Sequence, residues 1–330
     1  MKIKVVIVNI VLIVAVVLVA EWFAWLWPYW GEVEQTAARY EGTCDQNYFR
    51  SNVPFLGYAP GPGSSCTVRM LYGERVIYDA QRTIGSDGLR ITPASKSPNA
   101  PGIAFFGCSI TFGDGVNDNE SMPYRFAELT GYKVWNFGFS GYGPHQMLSA
   151  LEHGIADRVV GNVAPKVVVY QAIPHHVTRV EGDLVWYPDG PRYVSDGNGG
   201  VNFAGNLHGS ISSWIMDQSM KTNIGRRYWI WKAQGGGGDI DLTVKIVARS
   251  RDLVKQKWPD ARFVVLYWPV DSETSTRLEE GFRRAGMTVH RVTEAIPDWR
   301  LLHVKYSIPH DGHPNALAHN MIAEYLAKNL

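Results

Sequence analysis

The sequence predicts a three-layer α/β/α domain with a mostly parallel sheet, preceded by a membrane-spanning helix and a small β-rich segment. Three observations predict this order. From Ile103 onward, short apolar runs alternate with segments of helical periodicity, which is typical of βα units in a parallel sheet. The runs are apolar throughout, as expected for strands covered by helices on both faces. An almost uninterrupted apolar stretch at the N-terminus predicts the membrane helix.

The N-terminal apolar stretch runs from Ile3 to Ala20 and is interrupted only by Lys4 and Asn9. Its length is close to the roughly 20 residues that span a bilayer, and aromatic residues mark membrane interfaces. Lys2 and Lys4 place the N-terminus in the cytoplasm and the remaining chain outside it. A cleaved signal peptide is the alternative, but the apolar run is long and lacks a good cleavage site. We therefore predict an uncleaved signal anchor over residues 1–30. The aromatic cluster that follows the run is Trp22, Phe23, Trp25, Trp27, Tyr29 and Trp30.

Residues 31–101 are predicted to form a linker and a small antiparallel β element. The first half is polar and then rich in glycine and proline, which is typical of linkers and loops. Two runs of alternating polarity follow, Thr67–Tyr72 and Arg75–Tyr78, separated by a turn. Cys44 and Cys66 frame the glycine- and proline-rich loop, and in an oxidising compartment they are candidates for a disulfide.

The main domain is predicted over residues 102–330. Its alternation breaks between about 180 and 241, where glycines and prolines are frequent. A loop insertion of this length is often a lid or a substrate-facing element, and a mobile surface excursion is the alternative. The predicted strands are Ile103–Phe106, Lys133–Phe137, Lys166–Gln171, Arg262–Trp268 and Met287–Val292. The predicted helices are Pro123–Leu129, His145–Val160, Leu242–Lys257, Thr274–Ala285 and Pro314–Asn329.

Charge and composition narrow the classes of partner. The formal net charge of the 330 residues is +1, so the overall charge gives no electrostatic case for nucleic acid or another polyanion. The sequence contains no internal repeat and no periodic low-complexity tract. We expect no nucleic-acid partner.

The first chemical motif is the turn Gly107-Cys108-Ser109, which directly follows a predicted buried strand and precedes a predicted helix. Side chains at this position lie at the carboxyl edge of the sheet, where open α/β domains bind ligands. Free helix N–H groups beside Ser109 suit a nucleophile whose reaction produces an oxyanion. A strand–turn–helix with an incidental serine is the alternative.

Two further strands end in polar or glycine-rich turns that the fold brings to the same edge. The stretch Gly138–Gly143 follows the second strand, and the Gly141 N–H is a candidate to face Ser109. The third strand ends near Gln171 and is followed by His175 and His176. Either histidine is a candidate to donate to an oxyanion or stack on substrate, and a structural histidine is the alternative.

The last motif is His310-Asp311-Gly312-His313, directly before the final helix. His313 is a candidate general base near neutral pH, and Asp311 is close enough to fix the tautomer of its ring. Alternatively, Asn315 or Asp311 only caps the final helix. A metal site is a third interpretation of this motif, although the spacing of the residues matches no recognisable set of metal ligands. That site would comprise His310, Asp311, His313 and His319.

Together these motifs resemble the SGNH (GDSL-like) hydrolase superfamily. The resemblance rests on the Gly-x-Ser-x-Thr-x-Gly turn, the second glycine-rich turn and the Asp/His pair before the last helix, and it covers Ile103 to Leu330 without the insertion. It implies a flavodoxin-like sheet and a Ser-His-Asp hydrolase that acts on esters, often acetyl or acyl groups of glycans and lipids. Ser109 matches the nucleophile, His313 the base and Asp311 its partner. The N–H groups of Ser109 and Gly141 match oxyanion donors.

The sequence departs from the family pattern in three places. Cys108 stands where the first block usually has aspartate. The third block lacks the asparagine that usually donates to the oxyanion, and His175 is the candidate replacement. The aspartate usually lies three residues before the histidine, whereas Asp311 lies two before His313. This spacing resembles membrane-associated polysaccharide O-acetylation proteins of the same superfamily, which makes acyl transfer an alternative.

We therefore predict a membrane-anchored, extracytoplasmic serine esterase that acts on an ester of a glycan or lipid and requires no metal or organic cofactor. In a bacterium the catalytic domain would lie in the periplasm. An O-acyltransferase is one alternative. A catalytically degenerate binding or assembly protein on the same fold is the other.

Overall fold

The computed structural model describes residues 2–26, 38–182, 189–207, 211–233 and 238–330. Its first element is helix α1 (Lys2–Leu26). The segment Val5–Leu26 is long and apolar enough to cross a membrane, and its large apolar side chains are 48% to 67% exposed. The helix agrees with the predicted span, while residues 27–30 of the predicted anchor lie outside the described residues.

A small β element follows and matches the sequence prediction. Three of its strands form an antiparallel sheet in the order β1-β4-β5, and β2 pairs with β3 in a hairpin. Cys44 at the end of β1 lies opposite Cys66 in β4, and the two form a disulfide. The strands are β1 (Ala38–Cys44), β2 (Phe49–Val53), β3 (Gly57–Pro60), β4 (Ser65–Tyr72) and β5 (Arg75–Thr83).

The main sheet contains the five predicted strands, all parallel, in the order β7-β6-β8-β11-β12. Numbered by their sequence order within the domain, this is 2-1-3-4-5, the flavodoxin-like order, whose ligand site lies where the strand order reverses. That point is the carboxyl edge of β6 and β8. The strands are β6 (Gly102–Phe106), β7 (Lys133–Asn136), β8 (Pro165–Ala172), β11 (Arg262–Tyr267) and β12 (Thr288–Arg291), with β9 (Pro191–Ser195) and β10 (Val201–Asn206) in the insertion.

Helices cover both faces of this sheet, so the predicted three-layer architecture is confirmed. One apolar core joins α4, α5, α9 and α10 to the sheet, and a second joins α3 and α13 to its other face. The helices are α2 (Ser109–Phe112), α3 (Met122–Thr130), α4 (Pro144–Glu152), α5 (Ile155–Val160), α6 (His176–Val180), α7 (Ile211–Met220), α8 (Asn223–Ala233), α9 (Ile240–Lys257), α10 (Glu273–Arg284), α11 (Val292–Ala295), α12 (His303–Tyr306) and α13 (Ala316–Asn329).

The single helix predicted over His145–Val160 is wrong in one respect, because the structure divides it into α4 and α5. Gly154 lies between them with φ of +67°. This left-handed backbone ends α4 and redirects the chain, and glycine adopts it without the penalty that a side chain would impose.

The insertion contains more regular structure than the predicted loop. Strands β9 and β10 form an antiparallel hairpin, and Tyr193 of this hairpin is buried in the main core and donates a hydrogen bond to Glu152 (2.8 Å). Helices α7 and α8 follow. Glycines and a proline flank the two strands, at Gly190, Pro191, Gly197, Gly199 and Gly200, and they interrupt the regular sequence pattern. Most of the glycine run, residues 235–237, lies outside the described residues.

The small β element packs directly on the main domain. Its buried side chains share one apolar cluster with residues that follow β6 and β7. Arg90, which is 1% exposed, donates hydrogen bonds to the carbonyls of Phe112 (2.9 Å) and Val116 (2.7 Å) and pairs with Asp118 (2.8 Å). The element is therefore continuous with the loops at the carboxyl edge of the sheet. The shared cluster is Tyr48, Tyr58, Cys66, Ile84, Phe112, Phe139 and Tyr142.

Candidate active site

Ser109 is the first residue of α2, directly after β6, and lies at the carboxyl edge of the sheet as predicted. It is 8% exposed, and its Oγ lies 2.8 Å from Nε2 of His313. The turn before it requires glycine, since a Cβ at Gly107 would lie 2.2 Å from Oγ1 of Thr111. The strand end and the tight turn therefore fix the hydroxyl against the imidazole.

His313 and Asp311 lie on the loop between α12 and α13, named here the His–Asp loop (residues 310–313). Nδ1 of His313 lies 2.5 Å from Oδ1 of Asp311, which also accepts the backbone N–H of His313 (3.1 Å). A carboxylate acceptor favours the tautomer with the proton on Nδ1. In that tautomer Nε2 is free to accept the proton of the Ser109 hydroxyl, so the structure brings the three predicted residues together in one hydrogen-bonded chain.

The charges of this pair support each other. Burial lowers the pKa of His313, but the hydrogen bond and charge of Asp311 outweigh it, and the pKa lies above its ordinary value of 6.5. Burial raises the pKa of Asp311, and the hydrogen bonds and charge of His313 bring it below its usual range. The nearby carboxylate of Asp114 raises the His313 pKa further, and Arg82 lowers it. Asp311 is therefore ionised near neutral pH and stabilises a protonated His313.

The small β element also contacts the His–Asp loop. The hydroxyl of Tyr40 in β1 donates to Oδ2 of Asp311 (3.3 Å). Tyr72 in β4 stacks on His310 with ring centroids 3.7 Å apart, and His310 has a left-handed backbone with φ of +61°. Sequence reasoning did not identify these contacts, which join the loop to the small β element.

Buried polar side chains support the turn that carries Ser109. Oε1 of Gln171, at the end of β8, lies 3.3 Å from both Sγ of Cys108 and Oγ1 of Thr111. Nδ2 of Asn136, at the end of β7, donates to the carbonyl of Thr111 (3.2 Å). Cys108, which departs from the family pattern, is thus a fully buried residue that faces Gln171. The sequence signal for Gln171 and Asn136 was a polar residue at the end of an apolar strand.

The candidate oxyanion donors lie on two chain segments. Gly141 belongs to the glycine-rich turn (residues 138–143) and has a left-handed backbone with φ of +79°. Within the described ranges, neither its N–H nor that of Ser109 donates a hydrogen bond to another residue. The Oγ of Ser140 donates to Asp114 (2.5 Å), whose carboxylate pairs with Arg82 of β5 (3.0 Å). A charged bridge thus fixes the residue that precedes Gly141.

Further contacts hold the glycine-rich turn on both sides. From β3, Tyr58 donates its hydroxyl proton to the carbonyl of Ser140 (3.1 Å), and the Tyr142 hydroxyl donates to the carbonyl of Tyr58 (2.7 Å). From α6, Arg179 donates to the carbonyl of Tyr142 (2.6 Å). These bonds hold the backbone on both sides of Gly141.

His175 is exposed at the start of α6, and its ring forms no hydrogen bond with the residues that the structure describes. Its role as a third oxyanion donor stays a prediction. His176 is fully buried, and its Nδ1 lies 2.6 Å from the Tyr170 hydroxyl. Burial lowers the pKa of His176, so this ring is neutral near pH 7.

The four residues of the alternative metal site are engaged in separate contacts. His319 is buried, and its Nδ1 accepts the N–H of Met122 (3.1 Å), while His310 stacks on Tyr72. Among the described residues, no group of three His, Cys, Asp or Glu side chains is arranged to hold a metal ion. Asn315 caps α13 by accepting the Ala318 N–H (3.1 Å). Asp311 is therefore not the cap of this helix and binds His313 instead.

An apolar cavity of about 340 Å³ lies beside the site, between the β2–β3 hairpin and helices α4 and α5. Its wall includes Gly107 and Gly143, each two residues from a candidate oxyanion donor, together with Phe137, Phe139 and Met147. This volume is at the lower end of the range of small-ligand pockets, about 300–1,000 Å³.

No protein-family model and no curated protein matches the sequence. Solved structures with similarity to the chain include a member of the lipolytic G-D-S-L family from Veillonella parvula, at 13% identity and a TM-score of 0.39 over 70% of this chain and 98% of that one. A carbohydrate esterase family 2 enzyme from Corynascus thermopiles has 16% identity and a TM-score of 0.43 over 89% of each chain. A catalytic mutant of an acetylxylan esterase from Geobacillus stearothermophilus has 12% identity and a TM-score of 0.39 over 72% of this chain and 95% of that one.

Proposed function

We propose that the chain is a serine esterase of the SGNH type, anchored in a membrane by α1, that removes an acetyl or other acyl group from a glycan or lipid. The observation that supports this most directly is the hydrogen-bonded chain from Ser109 Oγ through His313 to Asp311, with distances of 2.8 and 2.5 Å. It lies at the strand-order reversal of a flavodoxin-like sheet, where such domains bind ligands.

In the proposed reaction, Ser109 Oγ attacks the ester carbonyl carbon while Nε2 of His313 accepts the hydroxyl proton. The negative charge on the former carbonyl oxygen is stabilised by the N–H groups of Ser109 and Gly141. The carbon–oxygen bond to the leaving alcohol then breaks, and His313 returns its proton to that oxygen. Asp311 holds the ring and stabilises its protonated form throughout.

The acyl group is then bound to Ser109, and the same residues complete the cycle. Water replaces the departed alcohol, and His313 removes a proton from it as its oxygen attacks the acyl carbon. The second tetrahedral intermediate breaks to release the carboxylic acid and return a proton to Ser109 Oγ. Besides the ester and water, these steps use side chains and N–H groups of this chain.

Hydrolysis of a short-chain nitrophenyl ester tests this proposal. We expect the wild-type protein to release nitrophenol with a burst that reflects the acyl-enzyme, and Ser109→Ala to abolish the release. The matched control is Ser250→Ala, which removes another buried serine hydroxyl in α9, where it donates to Ile246. Equal activity of Ser109→Ala and wild type would exclude Ser109 as the nucleophile.

Acyl transfer is the second candidate, because Asp311 lies two residues before His313, the spacing that resembles polysaccharide O-acetylation proteins. The two reactions share the acyl-enzyme and differ in whether water or a glycan hydroxyl accepts the acyl group. Incubation with an acyl donor and an oligosaccharide, followed by mass spectrometry, separates them. Acylated sugar in excess of free acid would favour the transferase, and free acid alone would favour the esterase.

The proposed location follows from the charges that flank α1. Lys2 and Lys4 precede the apolar segment, and basic residues remain on the cytoplasmic side. The catalytic domain would then be extracytoplasmic, where the Cys44–Cys66 disulfide is stable. Protease treatment of intact cells or spheroplasts tests this orientation, since degradation of the domain without lysis is expected only if it faces outward.

A further inference from the structure

Helices α7 and α8 of the insertion, named here the insertion helices, pack against each other, and α8 also packs against the end of α1. The Glu21 carboxylate accepts the N–H groups of Asn223 (2.7 Å) and Ile224 (3.0 Å), the first residues of α8. Arg227, one turn further on, donates to the carbonyl of Ala24 (2.6 Å). A carboxylate at a helix N-terminus satisfies N–H groups that otherwise lack partners and complements the helix dipole. These bonds therefore tie the insertion helices to the last turns of α1.

The position of these bonds along α1 sets their depth in a membrane. The apolar segment Val5–Leu26 has 22 residues, which at about 1.5 Å per residue gives about 33 Å, close to the roughly 30 Å hydrocarbon thickness of a bilayer. Glu21 lies in the last quarter of that segment. If α1 spans the bilayer, the contacts with α8 lie where the hydrocarbon meets the headgroups.

The insertion helices have the composition of an interfacial membrane element. Trp214, Ile215 and Ile224 are 62%, 51% and 42% exposed. Three large apolar side chains exposed on one short segment are unusual for a surface that faces water. Residues 211–233 include one acidic residue and four basic residues. Tryptophan combined with lysine and arginine is typical of helices that lie in the headgroup region, with apolar side chains inserted and cations near lipid phosphates. The charged residues are Asp217, Lys221, Arg226, Arg227 and Lys232.

We propose that the insertion helices lie in the membrane–water interface on the extracytoplasmic side of the bilayer that α1 spans, with Trp214, Ile215 and Ile224 in contact with lipid. This inference rests on the membrane anchoring by α1 within the proposed function, and it assigns the insertion a partner, the bilayer itself. Helix α8 is hydrogen-bonded to the end of the proposed transmembrane helix. This contact favours lipid over another protein as the partner of the exposed apolar side chains.

A second membrane contact would restrict how the domain moves relative to the bilayer. A single transmembrane helix followed by a linker leaves the orientation of a domain free, whereas two contacts fix it. Tyr40, which touches Asp311, is 14 residues beyond the end of α1 at Leu26. At about 3.3–3.6 Å per extended residue, the site lies at most about 50 Å from that end, within reach of esters carried by surface lipids or by glycans attached to them.

Fluorescence of a single label in the full-length protein tests this proposal. The native thiols do not compete, because Cys44 and Cys66 form a disulfide and Cys108 is buried. An environment-sensitive nitrobenzoxadiazole label is attached to Ile215→Cys, and the protein is reconstituted into phosphatidylcholine vesicles with or without phosphatidylglycerol. Lipids with a spin label near the top of the acyl chain serve as quenchers. The matched control is Leu129→Cys, another exposed leucine or isoleucine position, 44% exposed, on α3.

We expect lipid quenching of the label at position 215 to exceed that at position 129 several-fold, and to increase further with phosphatidylglycerol. Equal quenching at the two positions would overturn the proposal. The intact mass of the reconstituted protein and the nitrophenyl ester activity of each labelled variant are measured on the same samples. A retained α1 and normal activity with no quenching at position 215 would reject the interfacial contact alone. Loss of α1 by cleavage would reject the membrane anchor together with it.

Discussion

The His–Asp loop and the glycine-rich turn, which contribute the two halves of the proposed site, are held in different ways. Asp311 holds His313 within the loop itself, through contacts between residues two apart in sequence. The glycine-rich turn depends on distant residues, since Ser140 is fixed by Asp114 and Arg82. The proton-transfer half of the proposed site is therefore local, whereas the proposed oxyanion half is assembled from the main domain and the small β element together.

The largest effect is expected from the local half. His313→Ala removes the proposed base, so kcat for nitrophenyl ester hydrolysis should fall by about 10⁴-fold or more, and the thermal unfolding midpoint should decrease because Asp311, whose side chain is 7% exposed, loses its partner. Steady-state kinetics and thermal unfolding of the same preparation measure both quantities. Retention of more than a tenth of the activity would mean that another group serves as the base.

The next effect concerns the distant half. Gly141→Ala places a side chain on a left-handed backbone, at a cost of about 1–2 kcal/mol, and displaces the proposed donor. We expect kcat to fall by about 10²-fold. Gly63→Ala is the control, since Gly63 has a similar φ of +71° with no atom within 4 Å of its Cβ position. A comparable loss of kcat in both variants would assign the effect to general strain rather than to the oxyanion.

A smaller effect is expected from Asp114, whose charge acts on His313 and whose carboxylate binds Ser140. His313 must be neutral to accept a proton, so activity should fall as the pH decreases through its pKa, which lies above 6.5. Asp311, Asp114 and Arg82 are the charged groups that act on this ring. Asp114→Asn removes a negative charge but keeps an acceptor for Ser140, and it should lower the midpoint of the acid limb of kcat/KM. An unchanged or higher midpoint would contradict the assigned charge interaction.

The smallest effect should come from Tyr40. Tyr40→Phe removes the hydrogen bond from the Tyr40 hydroxyl to Asp311 (3.3 Å). Because Tyr40 is exposed, this bond is worth about 1 kcal/mol or less. We expect kcat/KM to decrease about twofold to fivefold with no change in the unfolding midpoint. A decrease as large as that of Gly141→Ala would mean that the small β element supports the His–Asp loop as strongly as it supports the glycine-rich turn.

The sheet and the hydrogen-bonded trio could be predicted because their signals are local. Strands such as β6 and β8 are apolar on both faces, and Ser109, Asp311 and His313 lie at a strand end or within one short loop. The contacts of Ser140 with Asp114 and of Tyr40 with Asp311 join residues 26 and 271 apart in sequence, and no periodicity marks such pairs. The break between α4 and α5 depends on one left-handed glycine, which a helical pattern tolerates.

The most direct test of the central proposal is covalent labelling by a fluorophosphonate followed by peptide mass spectrometry. A fluorophosphonate reacts with a serine that a neighbouring base activates and leaves a phosphonyl group on its oxygen. We predict one adduct per chain, on Ser109, in the wild type and in Ser250→Ala, and none in His313→Ala. An adduct on another residue, or an unlabelled wild type, would contradict the assignment of Ser109 as an activated nucleophile.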